Sequence, residues 1–236
     1  MSSIRYFLIS LYQKYNRRLN SGYLEQIYQA SYLDLAKRTD WLKDIPLSSP
    51  SGGTASFSLL YVLLSILRGK EVNKIMELGA GQSTVLLTQY VEHHEKYLVS
   101  IDDDEYWLQQ VAVKSFYVMP IYAKLSRITV LNKCIDWYEC SLPTSNVELL
   151  IIDGPIAYAS DIKYNRIGVL DWIPEVLDDE FIILVDDSNR AGERFLVKQI
   201  INKLDENGLV FKRRDIVGGN SQTILATQKY QAFLYL

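Results

Sequence analysis

The segment that most constrains the fold is a short apolar run followed by two glycines and a second apolar run. Val72–Leu78 is short and apolar enough for a buried parallel strand, and Val85–Val91 has the composition of a helix that packs on that strand. Gly79 and Gly81 lie between them, where a backbone without Cβ can turn sharply and approach a ligand closely. A strand, a glycine turn and a helix in this order predict a cofactor-binding loop.

The residues around the glycines indicate which cofactor the loop would hold. A dinucleotide loop would continue to a third glycine, and Thr84 occupies that position. The carboxylate of Glu77, two residues before the first glycine, would repel a pyrophosphate but would suit a positively charged ligand. S-adenosylmethionine has an ammonium and a sulfonium group and no phosphate. Ser83 or Thr84 is expected to cap the helix; the alternative is a turn without a ligand.

Length, charge and cysteine content exclude several classes of protein. At 236 residues the chain is long enough for one α/β domain with a sizeable core. The net charge of −3 and the scattered basic residues argue against a nucleic-acid-binding groove. Cys134 and Cys140 lie close together with no further cysteine, so neither a zinc set nor a disulfide framework is expected. A cytoplasmic location fits this cysteine content.

Residues 1–50 are expected to form an N-terminal helical cap and linker, and residues 51–236 the cofactor-binding domain. In residues 1–20, apolar side chains recur at helical spacing, with Arg5 and Lys14 among them and no long apolar run. This pattern predicts neither a signal peptide nor a membrane span. We expect the amphipathic helix to pack on its own domain or on a second subunit of a homodimer. Contact of its basic side with an anionic membrane is the alternative.

From Val72 onward, segments typical of strands alternate with segments typical of helices. After the first strand, strands are expected at Lys96–Ile101, Arg127–Leu131, Val147–Ile152 and Phe181–Val185, helices at Glu105–Phe116, Lys163–Val176 and Arg194–Glu206, and a terminal hairpin from Leu209–Ile216 and Thr223–Thr227. This alternation predicts an α/β fold with a doubly wound, mainly parallel sheet.

Acidic residues sit at four of the expected strand ends, where ligands bind in such sheets. Glu77 lies at the end of the first strand, and Asp102 follows the second, where it can accept hydrogen bonds from ribose hydroxyls. Asp153 follows the most apolar strand, and Asp186 and Asp187 follow the next. A helix cap or a surface charge is the alternative role for Asp102.

These motifs together resemble the class I S-adenosylmethionine-dependent methyltransferases, and within them the small-molecule O-methyltransferases that include metal-dependent catechol and sugar enzymes. The motifs are Glu77-Leu-Gly-Ala-Gly-Gln-Ser-Thr, Ile101-Asp102, Ile152-Asp153-Gly-Pro and Val185-Asp186-Asp187. The resemblance extends over residues 51–227. It implies a Rossmann-like sheet of seven strands with an antiparallel last strand, in agreement with the terminal hairpin.

The resemblance also implies roles for individual residues. It places the methionine end of the cofactor on the glycine loop, the ribose on Asp102, and the adenine near Asp136 or Trp137, of which Trp137 fits the core equally well. The expected cofactor-binding residues are therefore Glu77, Gly79, Ala80, Gly81, Ser83, Thr84, Asp102 and Asp136.

The acidic ends of the last two parallel strands are candidates for a metal site. Neighbouring parallel strands lie about 5 Å apart, so Asp153, Asp186 and Asp187 can converge on one ion, and oxygen ligands favour Mg²⁺ over zinc. The resemblance supports this set, although the catechol enzymes carry Asp-Asn at the second end. The metal-free alternative makes Asp153 or Asp187 a catalytic general base. Arg166 and Arg190 would either hold an anionic group of the acceptor or pair with these acids.

The function expected from these residues is O-methylation of a small hydroxylated acceptor, with a sugar or glycoconjugate precursor as one candidate. Two alternatives share the fold: an aminopropyl transferase and a methyltransferase-like binding subunit without catalysis. A nicotinamide-dependent oxidoreductase is a further alternative, against which both Thr84 and Glu77 count. No nucleic-acid partner is expected.

Overall fold

The computed structural model describes residues 22–47, 55–69, 72–111 and 114–235. Residues 22–37 are helical and are labelled α1. The further helices are α2 Phe57–Gly69, α3 Gln82–His94, α4 Glu105–Val111 and α5 Ala191–Glu206, with 3-10 helices at Asn165–Asp171 and Gln228–Tyr235. The strands are β1 Lys74–Leu78, β2 Tyr97–Asp102, β3 Val118–Tyr122, β4 Leu125–Val130, β5 Lys133–Tyr138, β6 Val147–Ile152, β7 Leu177–Val185, β8 Lys212–Ile216 and β9 Gln222–Ala226.

In the described part of the chain, seven strands form one sheet in the order β3-β2-β1-β6-β7-β9-β8. The first five of these run parallel, β9 is antiparallel to β7, and β8 pairs with β9 as a hairpin. Parallel neighbours need crossover connections, which α3 supplies after β1 and α4 after β2. The predicted Rossmann-like, mainly parallel sheet with an antiparallel last strand is confirmed.

The third strand of the sheet differs from the sequence prediction. The segment expected there, Arg127–Leu131, largely forms β4, which pairs with β5 in a separate antiparallel ribbon. The strand that pairs with β2 is instead β3, which forms one edge of the sheet. It contains Pro120 and is only partly buried. Proline has no N–H group to donate, and it is tolerated in an edge strand because one side of that strand has no neighbouring strand to bond with. The broken apolar pattern explains why the sequence does not reveal this strand.

Two predicted helices are shorter or tighter than expected. The helix predicted over Glu105–Phe116 spans Glu105–Val111, and the helix predicted over Lys163–Val176 is a 3-10 helix over Asn165–Asp171 followed by turns. In the second case Gly168 lies against the indole of Trp137, where an added Cβ would approach within 2.1 Å. This contact brings the 3-10 helix close to β5.

The central strands are buried on both faces. Alternate residues of β6 enter two hydrophobic clusters: Leu149 and Ile151 join one, and Leu150 and Ile152 join the other. The run of four apolar residues that ends β6 is typical of a strand buried on both sides.

Both ends of the described chain pack on the hydrophobic cluster that contains Leu149 and Ile151. Its members include Tyr32, Ala36, Trp41 and Leu42 from residues 22–47, and Tyr230, Phe233 and Leu234 from the carboxyl-terminal segment. The apolar tail thus covers this chain's own core. The helix predicted in residues 1–20 and the boundary proposed at residue 50 lie outside the described residues. None of the helices in the described ranges has the length and apolarity needed to cross a membrane.

Candidate functional site

The carboxyl ends of β2, β1, β6 and β7 lie side by side in the middle of the sheet. Backbone hydrogen bonds continue past the strands: Asp153 N–H donates to Leu78 O at 2.9 Å, and Asp186 N–H donates to Ile152 O at 3.0 Å. The residues that follow the strands therefore share one edge, which is where ligands bind in open α/β sheets.

The two glycines of the loop after β1 differ in backbone conformation and in the space around them. Gly79 has φ +91°, and a Cβ there would lie 2.7 Å from the backbone nitrogen of Gly154, so only glycine fits this turn beside β6. Gly81 has an extended φ of −173°, which any residue can adopt. A Cβ on Gly81 would meet nothing nearer than Ser83 Oγ at 4.0 Å. The space beside Gly81 is therefore open to a ligand.

Hydroxyl groups tie the loop to the buried carboxylate of Glu77. Thr84 Oγ1 accepts a hydrogen bond from Gly81 N–H at 2.8 Å and donates one to Glu77 Oε2 at 2.6 Å. Ser100 Oγ donates to the same oxygen at 2.7 Å. Thr84 thus provides the predicted cap, and Glu77 Oε2 holds the Thr84 hydroxyl in place by accepting its hydrogen bond.

The second oxygen of Glu77, Oε1, is buried and has no hydrogen-bond partner among the described residues. Burial raises the pKa of Glu77 to about 7, against the opposing effect of the nearby hydroxyl groups of Ser83, Thr84 and Ser100. An unpaired buried carboxylate oxygen is costly. A positively charged group bound at the loop would lower that cost.

Asp102 is held in place by the loop and by the start of α4. Its Oδ2 accepts from Ala80 N–H at 2.7 Å, and its Oδ1 accepts from Asp104 N–H at 2.8 Å. Asp104 rather than Asp102 caps α4, because Asp104 Oδ1 accepts from Trp107 N–H at 2.9 Å. Trp107 Nε1 also donates to Ala80 O at 2.8 Å. Asp102 is therefore fixed against the loop, and each of its oxygens retains a lone pair for a further donor.

The three predicted metal-ligating aspartates come together. Asp153, Asp186 and Asp187 each offer a carboxylate oxygen, and these oxygens all lie within 4.8 Å of one another. Successive side chains of a strand point to opposite faces, so two adjacent aspartates would ordinarily diverge. Asp187 instead has φ +57°. This left-handed conformation turns the chain directly after β7 and keeps both aspartates in one cluster.

Two arginines lie against this acid cluster, defined as Asp153, Asp186 and Asp187. Arg166 Nη2 lies 3.1 Å from Asp153 Oδ1 and 3.3 Å from Asp187 Oδ2, and Arg190 Nη1 lies 2.7 Å from Asp187 Oδ2. Arg166 is buried and also donates to the backbone carbonyls of Pro155 and Asp186. Of the two predicted roles for these arginines, the structure supports pairing with the acidic strand ends.

The charge of the cluster is not fully compensated by the arginines. Glu193 Oε1 lies 3.6 Å from Arg166 Nη1, so four carboxylates surround two guanidinium groups, and two negative charges remain if all are ionised. Burial raises the pKa of Asp153 to about 7 and that of Asp186 well above its ordinary value. Repulsion by Asp187 adds to the effect of burial in both cases, and Arg166 opposes it.

The cluster fits a divalent cation by its donor atoms. Arg166 contacts Asp153 through Oδ1, and Gln222 contacts Asp186 through Oδ1, so the Oδ2 of each remains for another partner. Asp187 Oδ1 is buried with no hydrogen-bond partner among the described residues. Opposite ligands of Mg²⁺ lie about 4.2 Å apart, close to the 4.8 Å within which one carboxylate oxygen of each aspartate lies.

A buried polar network connects the acid cluster to the start of α2. Gln222 Nε2 donates to Asp186 Oδ1 at 2.7 Å and lies 3.3 Å from the hydroxyl oxygens of both Ser56 and Ser58. Ser56 Oγ also accepts from Leu59 N–H at 3.2 Å, as a helix cap does. The position of Asp186 therefore depends on α2 as well as on its own strand.

The proposed adenine residues lie on β5, in the two-stranded ribbon. Asp136 forms an ion pair with Arg127 at 3.0 Å, and its N–H donates to Asn165 Oδ1 at 3.0 Å. Trp137 is buried and packs against Trp172 with ring centroids 5.2 Å apart. Trp137 therefore belongs to the core, and the role of Asp136 toward adenine stays a prediction.

Two residues beside the acid cluster have no counterpart among the sequence predictions: Glu193 and Gln222. Glu193 lies in the first turn of α5 and Gln222 opens β9, so both reach the cluster only through the tertiary fold. Their one sequence signal is polarity next to buried apolar residues.

No protein-family model and no curated protein matches the sequence. Among solved structures, the chain is similar to the O-methyltransferase TomG of Streptomyces achromogenes, which is involved in tomaymycin synthesis and was solved with S-adenosylmethionine. The identity is 16%, the match covers 89% of this chain and 98% of that chain, and the TM-score is 0.49.

Two further similar structures are an O-methyltransferase of Bacillus cereus in complex with S-adenosylhomocysteine and a precorrin-6y C5,15-methyltransferase of Geobacter metallireducens. The first is 14% identical, with 85% of this chain and 91% of that chain covered and a TM-score of 0.47. The second is 13% identical, with 78% and 97% covered and a TM-score of 0.47. These three solved chains are methyltransferases, at a similarity too low to transfer an acceptor or a residue role.

Proposed function

We propose that this chain is an S-adenosylmethionine-dependent O-methyltransferase acting on a small hydroxylated molecule, with a sugar or glycoconjugate precursor as the candidate acceptor. The observation that carries the proposal is the juxtaposition of two sites on neighbouring strands. The glycine loop follows β1, Asp102 is the last residue of β2, and the acid cluster follows β6 and β7 directly beside them. A cofactor on the first pair would present its reactive end toward the second.

The residues of the loop suit a cationic cofactor. The unpaired oxygen of Glu77 would accept a hydrogen bond from the ammonium group, and Asp102 would accept from the ribose hydroxyls. Gly81 leaves the approach open. A pyrophosphate would instead meet several carboxylates at this edge, which is repulsive.

The acid cluster would bind and deprotonate the acceptor. Methyl transfer forms a bond between the acceptor oxygen and the methyl carbon while the bond from that carbon to sulfur breaks, and the hydroxyl proton passes to a carboxylate. Asp153 is the first candidate for the carboxylate that accepts the proton, because β6 adjoins β1 and Asp153 therefore lies nearest the glycine loop. Asp187 is the second candidate. Arg166, fixed by both aspartates, would hold their orientation.

A divalent cation, most suitably Mg²⁺, is part of this proposal because each aspartate has an oxygen available for it. When bound, the cation would lower the pKa of the acceptor hydroxyl. Asp153, Asp186 and Asp187 would hold the cation, and Gln222 would keep Asp186 in place. Without it, Asp153 or Asp187 would act alone as general base.

Methyl transfer from labelled S-adenosylmethionine to a panel of sugars and catechols tests the proposal. Turnover should stop with a chelator and return with Mg²⁺ or Mn²⁺. Asp186→Ala should abolish that rescue, whereas Asp171→Ala, at an exposed acid outside the site, should not. Full turnover after exhaustive chelation would exclude the cation and leave the general-base mechanism. Absence of transfer to every acceptor, with the cofactor bound, would favour a binding subunit.

A further inference from the structure

Tyr138, the last residue of β5, carries a buried hydroxyl that the proposed function does not explain. The side chain is 3% exposed, and its Oη has no hydrogen-bond partner among the described residues. A buried polar group without a partner costs free energy, and native proteins contain few of them. Such a group therefore points to a partner that is bound from outside the chain.

The position of this hydroxyl links it to the cofactor loop. A Cβ added to Gly154 would lie 2.4 Å from Tyr138 Oη and 2.6 Å from Gly79 Cα. The hydroxyl is thus placed against the junction between the turn after β1 and the residue that follows Asp153. This junction lies between the proposed ribose ligand and the proposed methyl-transfer site.

The position of Tyr138 Oη beside Gly79 favours the cofactor over the acceptor as its partner, and the surrounding charges keep the hydroxyl protonated. Burial raises the pKa of Tyr138 well above its ordinary value; Asp102 and Asp103 raise it further, and Arg166 opposes them. The hydroxyl therefore stays protonated and is available as a donor.

We propose that Tyr138 is a cofactor-binding residue whose hydroxyl forms a hydrogen bond with bound S-adenosylmethionine at the junction of the glycine loop and the end of β6. This inference rests on the proposed function, because it needs that cofactor at the loop. Its partner is one of the cofactor's polar groups: the amino group, the carboxylate or a ribose hydroxyl.

Tyr138→Phe separates binding from stability. The variant keeps the ring and removes only the hydroxyl, so affinity for S-adenosylhomocysteine, measured by calorimetry, should fall about 3- to 30-fold. The thermal midpoint of the protein without added ligand should stay equal or rise, because an unpaired buried hydroxyl is lost. A merely structural tyrosine would show the reverse pattern.

Tyr90→Phe is the matched control. Tyr90 is 2% exposed, and its hydroxyl donates to Val72 O at 2.9 Å and accepts from Val72 N–H at 3.1 Å, far from the glycine loop along β1. This variant should lose thermal stability and keep the parent's affinity. If Tyr138→Phe binds S-adenosylhomocysteine as tightly as a parent that does bind it, the inference is wrong and the proposed function stands. If the parent itself shows no binding, both fail.

Discussion

At the scale of single residues, the site depends on carboxylates whose surroundings differ. Asp102 has both oxygens hydrogen-bonded to backbone N–H groups, whereas Glu77 has one oxygen paired and one orphaned in the interior. The first arrangement holds Asp102 in a fixed orientation, as the proposed ribose contact would require. The second leaves a buried carboxylate oxygen without a hydrogen bond, which is unfavourable and would become less so if a cationic ligand bound there.

The burial of Glu77 predicts that the free energy of unfolding depends on pH. An unfolded glutamate has a pKa near 4.5, and the folded value is about 7, so the folded chain binds this proton more tightly. The stability from this group is fully present below pH 4.5 and is lost as the pH rises through 7. Relative to Glu77→Gln, the parent should lose on the order of 2 kcal/mol of unfolding free energy between pH 5 and 8.

Denaturant unfolding at several pH values, without cofactor, would measure this difference. Glu92→Gln, at an exposed acid on α3, is the control and should follow the parent's profile. Comparing variants removes the contributions of Asp153 and Asp186, which act in the same direction. Parallel profiles of the parent and Glu77→Gln would contradict the assigned burial of Glu77.

At the scale of elements, the helical segment before the sheet is joined to the site by one carboxylate. Glu25 of α1 accepts hydrogen bonds from the N–H groups of Phe57 and Ser58 at the start of α2, and from Gly219 N–H at 2.8 Å. Negative charge at a helix amino terminus is favourable. Glu25 thus holds α1, α2 and the β8–β9 turn together, next to the network around Gln222.

Glu25→Ala should lower the unfolding free energy by about 1 to 2 kcal/mol, because it removes a cap and a bridge between three elements. Asp34→Ala is the control on the same helix, since Asp34 pairs with Arg38 where both side chains are 65% exposed. That variant should change stability by less than about 0.5 kcal/mol. Equal effects of the two substitutions would show that Glu25 does not join these elements.

The elements show what a sequence can and cannot predict. β6 was predictable because four apolar residues in a row, 149–152, are typical of a buried parallel strand, and the ends after β1, β2, β6 and β7 follow from such strands. β3 was not, because an edge strand with Pro120 lacks that pattern. The pairing of Arg166 with two strand ends and the contact of Gln222 with Asp186 depend on tertiary positions, which spacing along the chain does not encode.

At the scale of the whole molecule, the sheet order brings distant parts of the sequence to one edge. Strands β1 and β6 are separated by about half of the sheet's sequence yet lie adjacent, and this adjacency places the glycine loop beside the acid cluster. Residues 22–47 and the carboxyl-terminal segment share one hydrophobic cluster with the sheet. Cofactor loop, acid cluster and helical segment are therefore parts of one packed structure.

The central claim is that S-adenosylmethionine binds at the glycine loop, and calorimetric titration tests it most directly. The parent should bind S-adenosylmethionine and show no heat of binding with NAD. Gly81→Val should keep the parent's thermal midpoint, because Gly81 has an extended φ and open space beside it, yet should weaken binding at least 10-fold by filling that space. A folded Gly81→Val protein that binds S-adenosylmethionine as tightly as the parent would contradict the account.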